Sequence, residues 1–146
     1  MRFKNNLTLI LLVHDNTNLP QRWMEYASYI NLPYKIFIAD GGKTNDFNEY
    51  IDKNKSHLKL DIEYFRYDHE KCFSDFYIKS NDILNKVKTA YVAMCSDDDF
   101  FILSGIEKAI NFLENNSEYS SARGEILGIK FYDYLNQDKF LEKAMK

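Results

Sequence analysis

Near the start of the chain, seven consecutive residues suit a buried β-strand, the run LTLILLV at 7–13. The run lacks the polar alternation of a strand that faces water on one side, so both of its faces must be covered. Such strands belong to parallel sheets that have helices packed on both faces. The run is also far shorter than the roughly 20 apolar residues of a membrane-spanning helix.

Strand-like and helix-like segments alternate along the rest of the chain, without internal repeats or Pro/Gly-rich linkers. The predicted strands are 7–13, 34–39, 58–67 and 90–95, and the predicted helices begin near Pro20, near position 46, after Ser74 and after Ser104. The segment at 58–67 alternates apolar and polar residues, which predicts a half-exposed strand near a sheet edge. Repeated strand–helix units predict a three-layer α/β/α fold with a mostly parallel sheet.

Composition is typical of a single globular domain spanning 1–146, because 45% of the residues are hydrophobic and 16% are aromatic. The formal net charge is −3, with 19 basic and 22 acidic residues interspersed. No basic stripe is present that would grip a nucleic-acid backbone, so nucleic acid is not an expected partner.

Two features bear on location. Cys72 and Cys95 are too few and too unpatterned for a disulfide framework, which favours a reducing, cytoplasmic setting. Arg2 and Lys4 ahead of the apolar run imitate a short signal peptide, but no small-x-small cleavage site follows. A buried first strand is therefore the favoured interpretation.

Polar clusters follow three of the predicted strands. They are HDN at 14–16, DGG at 40–42 and DDD at 97–99. Because ligands of open α/β sheets bind outside the carboxyl ends of the strands, these clusters are expected to share one ligand-binding edge.

The three consecutive aspartates repel one another unless a cation lies among them. If the chain stays extended after its strand, Asp97 and Asp99 project to one side and Asp98 to the other. Carboxylate oxygens suit Mg²⁺, Mn²⁺ or Ca²⁺, which favours a metal site. The alternative is a solvated acidic turn whose charge favours the following helix N-terminus.

Asp40 ends the second predicted strand and is followed by two glycines. This pattern suits a tight turn where backbone approaches a ligand, and the carboxylate can accept a hydrogen bond from a base or a sugar hydroxyl. A plain strand-to-helix turn explains the segment equally well, because Asp-Gly is common in turns.

The three segments LTLILLVHDN, IFIADGGKTND and AYVAMCSDDDFF together resemble the nucleotide-sugar-binding half of a GT-A glycosyltransferase, similar to glycosyltransferase family 2. The resemblance covers roughly 7–116 and implies a Rossmann-like GT-A fold. The remaining residues, 117–146, then correspond to a short remnant of the acceptor half.

The resemblance also implies roles for individual residues. Asp40 matches the acidic residue that hydrogen-bonds the nucleotide base, and the backbone of His14 and Asp15 lines the nucleotide pocket. Asp97 and Asp99 match the Asp-x-Asp pair that binds the ribose and holds Mn²⁺ or Mg²⁺ on the diphosphate. Asp98 shares either of these roles, and Lys79 matches a basic residue that faces the phosphates.

The implied function is transfer of a sugar from a nucleotide-diphospho-sugar, with UDP as the expected nucleotide, to a saccharide or lipid-linked acceptor in surface polysaccharide synthesis. No residue of the short tail is assigned as catalytic base. The alternative is a non-catalytic or incomplete nucleotide-sugar-binding module that lacks the catalytic base. Such a module is either a remnant of the donor half or a piece whose site a second copy or a partner chain completes.

Other chemistries find less support. The segment DHEKC at 68–72 has no second ligand pair at zinc-like spacing, which favours a polar loop. Neither G-x-G-x-x-G nor a P-loop occurs, so a dinucleotide oxidoreductase and a P-loop ATPase are disfavoured.

Overall fold

The computed structural model describes residues 6–15, 18–126 and 128. Strands and helices alternate throughout this part of the chain. The elements are β1 (Leu7–Val13), α1 (Asn18–Tyr29), β2 (Lys35–Asp40), α2 (Asp46–Leu58), β3 (Ile62–Arg66), α3 (Phe73–Lys86), β4 (Tyr91–Ser96) and α4 (Leu103–Asn115). The predicted first strand is confirmed at both of its ends.

The four strands form one sheet in the order β3-β2-β1-β4, and every neighbouring pair is parallel. The predicted α/β class with a parallel sheet is therefore confirmed, as is the position of β3 at a sheet edge. The chain adds β2 and β3 on one side of β1 and then returns to add β4 on the other. The carboxyl ends of β1 and β4 consequently flank the point where the strand order reverses.

Helices cover the two faces of the sheet unequally. One face packs against α1, α2 and α4 and contains the larger core cluster. Its buried residues are Leu7, Leu9, Leu11, Val13, Trp23, Met24, Ala27, Leu32, Tyr34, Ile36, Ile38, Phe47, Ile51, Leu58, Cys95 and Ile110. The other face packs against α3, where Ile83 joins Ile10, Phe37 and Ala39 in a smaller cluster. Both faces of β1 are thus buried, which explains why six of its seven residues are apolar. The exception, Thr8, is buried with its hydroxyl hydrogen-bonded to that of Thr89.

The fourth strand departs from the prediction of a fully buried strand. Val92 and Met94 are 43% and 40% exposed, and they pair in register with Thr8 and Ile10 of β1. They therefore lie on the face that α3 covers, but α3 packs mainly over β2 and leaves them partly open.

Two helix starts also differ from prediction. Cys72, not Ser74, is the N-cap of α3, because Asp75 accepts hydrogen bonds from the backbone N–H groups of Lys71 and Cys72. Helix α4 begins at Leu103, so Ser104 lies inside its first turn.

The sequence also predicts a strand at 125–134 and a short helix from about Asp138, and both fall almost entirely outside the described residues. None of the helices in the described ranges has the length and apolar character needed to cross a membrane.

Truncation of a fully buried side chain of β1 should lower stability strongly. Leu11 is 0% exposed, so Leu11→Ala is expected to cost about 2–5 kcal/mol of unfolding free energy through lost burial and a residual cavity. Leu84 of α3 is 36% exposed and is the matched control, with an expected cost below about 1 kcal/mol for Leu84→Ala. Urea unfolding measures both, and equal losses would contradict this description of the core.

Candidate functional site

The loops that follow β1, β2 and β4 lie at the carboxyl edge of the sheet, where open α/β proteins bind ligands. A cavity of about 270 Å³ opens there, slightly smaller than the roughly 300 Å³ at which the usual range of small-molecule sites begins. Its lining residues are His14, Asp15, Asp40, Gly42, Lys43, Thr44 and Phe47. Three of the predicted site residues, His14, Asp15 and Asp40, therefore border one cavity. Its lining does not include the other four, Lys79, Asp97, Asp98 and Asp99.

Asp40 is buried at the end of β2 and has three donors within the protein. Its Oδ1 accepts from the Gly42 backbone N–H at 2.7 Å and from Arg66 Nη1 at 2.9 Å, and its Oδ2 accepts from the Tyr64 hydroxyl. Arg66 stands directly opposite Asp40 in the β2–β3 register and also donates to the Gly42 carbonyl. Burial and the Asp40 carboxylate raise the pKa of Tyr64, so its hydroxyl stays protonated and donates.

The two glycines after Asp40 provide space for protein groups. A Cβ on Gly41 would collide with the Glu70 carboxylate, and one on Gly42 would lie 3.0 Å from the His14 carbonyl oxygen. Neither glycine has a positive φ, so close packing rather than backbone conformation explains their presence. The turn is tight, as expected, but the groups packed against it belong to the protein itself, Glu70 and His14, and not to a ligand.

Lys79 extends from α3 to the carboxyl ends of the two central strands. Its ammonium group donates to the carbonyl of Val13 at 2.8 Å and to that of Ala39 at 3.1 Å, and it pairs with the Glu70 carboxylate. The Lys79 and Glu70 side chains are only 3% and 9% exposed. The ammonium group thus makes two hydrogen bonds to strand carbonyls and one ion pair, and these contacts surround it with protein groups.

The Lys79 geometry bears on the predicted phosphate contact. Because it is buried and contacts groups of the protein, Lys79 holds the ends of β1 and β2 and the loop after β3 together and does not face an open pocket. Its charge still acts on Asp97, whose pKa it helps to lower against larger opposing effects.

The aspartate run forms a turn, so the expected extended chain with alternating carboxylates is corrected. Strand β4 ends at Ser96, and the Asp99 backbone N–H donates to the Ser96 carbonyl at 3.3 Å. Asp97 is half-buried, whereas Asp98 and Asp99 are exposed. The metal assignment to Asp97 and Asp99 therefore stays a prediction that no longer rests on strand alternation.

Electrostatics single out Asp97 within this run. Burial raises the pKa of its carboxyl group, and the charge of Asp98 raises it further. Lys79 and His14 act in the opposite direction without cancelling the shift. A nearby cation would therefore stabilise the ionised form of Asp97 and lower its pKa.

His14 and Asp15 follow β1 and meet His69 from the loop after β3. Asp15 Oδ2 lies 3.3 Å from His69 Nε2 and 3.7 Å from His14 Nε2. Partial burial raises the pKa of Asp15, but the Lys43 backbone N–H, the His69 hydrogen bond and the charges of His14 and Lys43 outweigh it. The pKa is lowered overall, so Asp15 is ionised at neutral pH.

Sequence reasoning missed the residues of β3 and of the loop after it. Tyr64, Arg66, His69 and Glu70 all contact the carboxyl edge, although their segment was interpreted as an edge strand and a polar loop. A usable signal was present, since Tyr64 and Arg66 are two residues apart and therefore share one side of a strand.

Removal of the Lys79 charge should expose the cost of a buried, unpaired carboxylate. Lys79→Met is expected to destabilise the protein by about 3–5 kcal/mol, because Glu70 and two strand-end carbonyls lose their donor. The double variant Lys79→Met/Glu70→Gln should lose less than the sum of the single changes by roughly 1–3 kcal/mol. Denaturant unfolding of the parent, the two single variants Lys79→Met and Glu70→Gln, and the double variant measures this coupling. Strictly additive losses of unfolding free energy would refute the pairing of Lys79 with Glu70.

Asp40 should prove to be important for stability. Asp40→Asn removes the charge that faces Arg66, and a loss of about 1–3 kcal/mol is expected. Asp61→Asn, an exposed aspartate ahead of β3, is the matched control and should change little. Thermal and urea unfolding measure both, and an Asp40→Asn protein as stable as the parent would contradict the scaffold role.

Comparison with known protein families and with curated proteins finds no match for this chain. The fold and the geometry of the carboxyl edge therefore carry the functional argument.

Proposed function

We propose that this chain binds a nucleotide-diphospho-sugar, with UDP as the nucleotide, and forms the donor-binding part of a glycosyltransferase. The observation that carries the proposal is the cavity that the loops after β1 and β2 border at the carboxyl edge of a parallel sheet. The acidic turn after β4 follows the neighbouring strand at the same edge, beside the reversal of strand order. That position is where open α/β proteins bind nucleotides.

The cavity offers groups suited to a nucleoside. Thr44 and Lys43 are exposed at its rim and supply a hydroxyl and a cation, while Phe47 supplies an apolar wall. Asp40 contributes less directly than its residue type suggests, because its carboxylate already accepts three hydrogen bonds. In this proposal Asp40 shapes the turn that the base approaches.

A divalent cation, Mn²⁺ or Mg²⁺, fits the acidic turn after β4. Asp97 and Asp99 would hold it through carboxylate oxygens, the ligands these hard cations prefer. The raised pKa of Asp97, caused first by burial, fits a site where a cation would favour the ionised carboxylate. When bound, such a cation neutralises the diphosphate and stabilises it as a leaving group.

The proposal places the chain in the cytoplasm, where nucleotide-sugars would meet a saccharide or lipid-linked acceptor. Both cysteines are free thiols, Cys72 exposed and Cys95 buried, as expected in a reducing compartment. The role in surface polysaccharide synthesis extends the same proposal.

Calorimetric titration with UDP and a UDP-sugar tests the proposal. Binding is expected with Mn²⁺ and should weaken at least about tenfold in EDTA or in the double variant Asp97→Asn/Asp99→Asn, because metal bridging to the diphosphate is lost. The matched control is Asp52→Asn/Asp61→Asn, which removes two exposed carboxylates from α2 and from the turn before β3.

Absence of metal-dependent binding, or equal binding by the two double variants, would overturn the proposal. Release of UDP from a bound UDP-sugar is the second readout. Turnover identifies an active transferase site, whereas binding without turnover identifies the non-catalytic or incomplete module.

A further inference from the structure

We propose that His14, Asp15 and His69 form a binding site for one divalent transition-metal ion of the Zn²⁺ or Co²⁺ type. This site is separate from the acidic turn after β4 and requires no nucleotide. It brings together two segments that lie far apart in the sequence, the loop after β1 and the loop after β3.

The ligand atoms are already close to coordination distances. Asp15 Oδ2 lies 3.3 Å from His69 Nε2 and 3.7 Å from His14 Nε2, and all three atoms lie within 4.8 Å of one another. With metal–ligand bonds of about 2.0–2.1 Å, neighbouring ligands of a tetrahedral ion are about 3.3 Å apart. Small side-chain rotations therefore suffice to place an ion among them. No other His, Cys, Asp or Glu group in the described ranges forms such a cluster.

The site is held in place by its surroundings. Asp15 Oδ1 accepts the Lys43 backbone N–H at 3.0 Å, which leaves Oδ2 directed at the two imidazoles. The imidazole rings of His14 and His69 lie nearly parallel, with centroids 5.6 Å apart and an interplanar angle of 7°, so both rings have to tilt for their in-plane lone pairs to meet at one ion. The residue after His69 is Glu70, which the buried Lys79 ion pair and a backbone bond to Gly41 anchor.

The donor set selects the class of metal. Two imidazole nitrogens and one carboxylate suit Zn²⁺, Co²⁺ or Ni²⁺ better than Mg²⁺ or Ca²⁺, which prefer oxygen ligands. Three protein ligands leave a fourth position open. Since His14 and Asp15 also line the cavity, a ligand oxygen or water there can occupy that position.

Lys43 provides an internal competitor. Its Nζ lies 3.5 Å from Asp15 Oδ2 while the side chain is 67% exposed, so it supplies the positive charge that a metal would bring. Metal binding therefore has to displace Lys43. Lys43→Met removes the competitor but keeps the backbone N–H that positions Asp15, so this variant should bind metal more tightly than the parent.

The test uses the full chain without an affinity tag and without nucleotide. Zn²⁺ titration by calorimetry, together with the visible absorption of bound Co²⁺, is expected to show one site per chain. His69→Ala and Asp15→Asn should each weaken binding by more than about tenfold. The chain has three histidines, so His57→Ala on α2 is the matched control and should leave binding unchanged.

Three results would overturn the site: no binding by the parent chain, binding that survives His69→Ala, or binding that His57→Ala abolishes. A Lys43→Met protein that binds more weakly than the parent would also contradict it. Circular dichroism checks that each variant is folded, as the partial exposure of the Asp15 and His69 side chains leads us to expect. The variant Asp97→Asn/Asp99→Asn should bind Zn²⁺ normally, which separates this site from the proposed donor site.

Discussion

The buried ammonium group of Lys79 is the interaction on which the carboxyl edge depends. It joins carbonyls at the carboxyl ends of the two central strands to the Glu70 carboxylate, and thereby links α3 and the loop after β3 to the sheet. Burying such a pair is costly, and two hydrogen bonds from the ammonium group to strand carbonyls offset part of that cost. These buried contacts hold the strand ends and the loop after β3 together, and so position the exposed residues that border the cavity.

The carboxyl edge consequently has two levels with different roles. Below lie the groups whose hydrogen bonds are used within the protein, chiefly Lys79, Glu70 and Asp40 with its partner Arg66. Above lie groups at least partly open to solvent, including His14, Asp15, Lys43 and Thr44, which border the cavity. Scaffold and ligand-facing residues come from the same loops, so a single polar motif such as DGG serves both levels.

Much of the fold could be predicted from the sequence because it rests on local patterns. The apolar run at 7–13 reflects a central strand, and the alternation predicted over 58–67 reflects an edge strand. That edge strand is shorter than predicted, because Leu58 ends α2 and β3 begins at Ile62. The start of α3 was harder to predict, since its cap uses the carboxylate of Asp75 with Cys72, a residue type that seldom caps helices. The exposure of Val92 and Met94 depends on where α3 lies, which no local pattern specifies.

The candidate site could be predicted only in outline. The sequence places polar clusters at strand ends, but it does not say which of their side chains the protein itself will use. Asp40 is occupied because Arg66 falls opposite it in the β2–β3 register, and Lys79 is occupied because Glu70 reaches it from another loop. Likewise, Asp15 and His69 are 54 residues apart, and only the folded chain brings them together.

The central claim is that the carboxyl edge of this sheet is a nucleotide-diphosphate site. The most direct measurement is an NMR titration of the isotope-labelled chain with UDP and Mg²⁺, followed through the backbone amide signals. The account predicts saturable shifts confined to 41–47 and 97–99 and to the amides of His14 and Asp15. Unchanged spectra, or shifts centred on the amino ends of the strands, would contradict it.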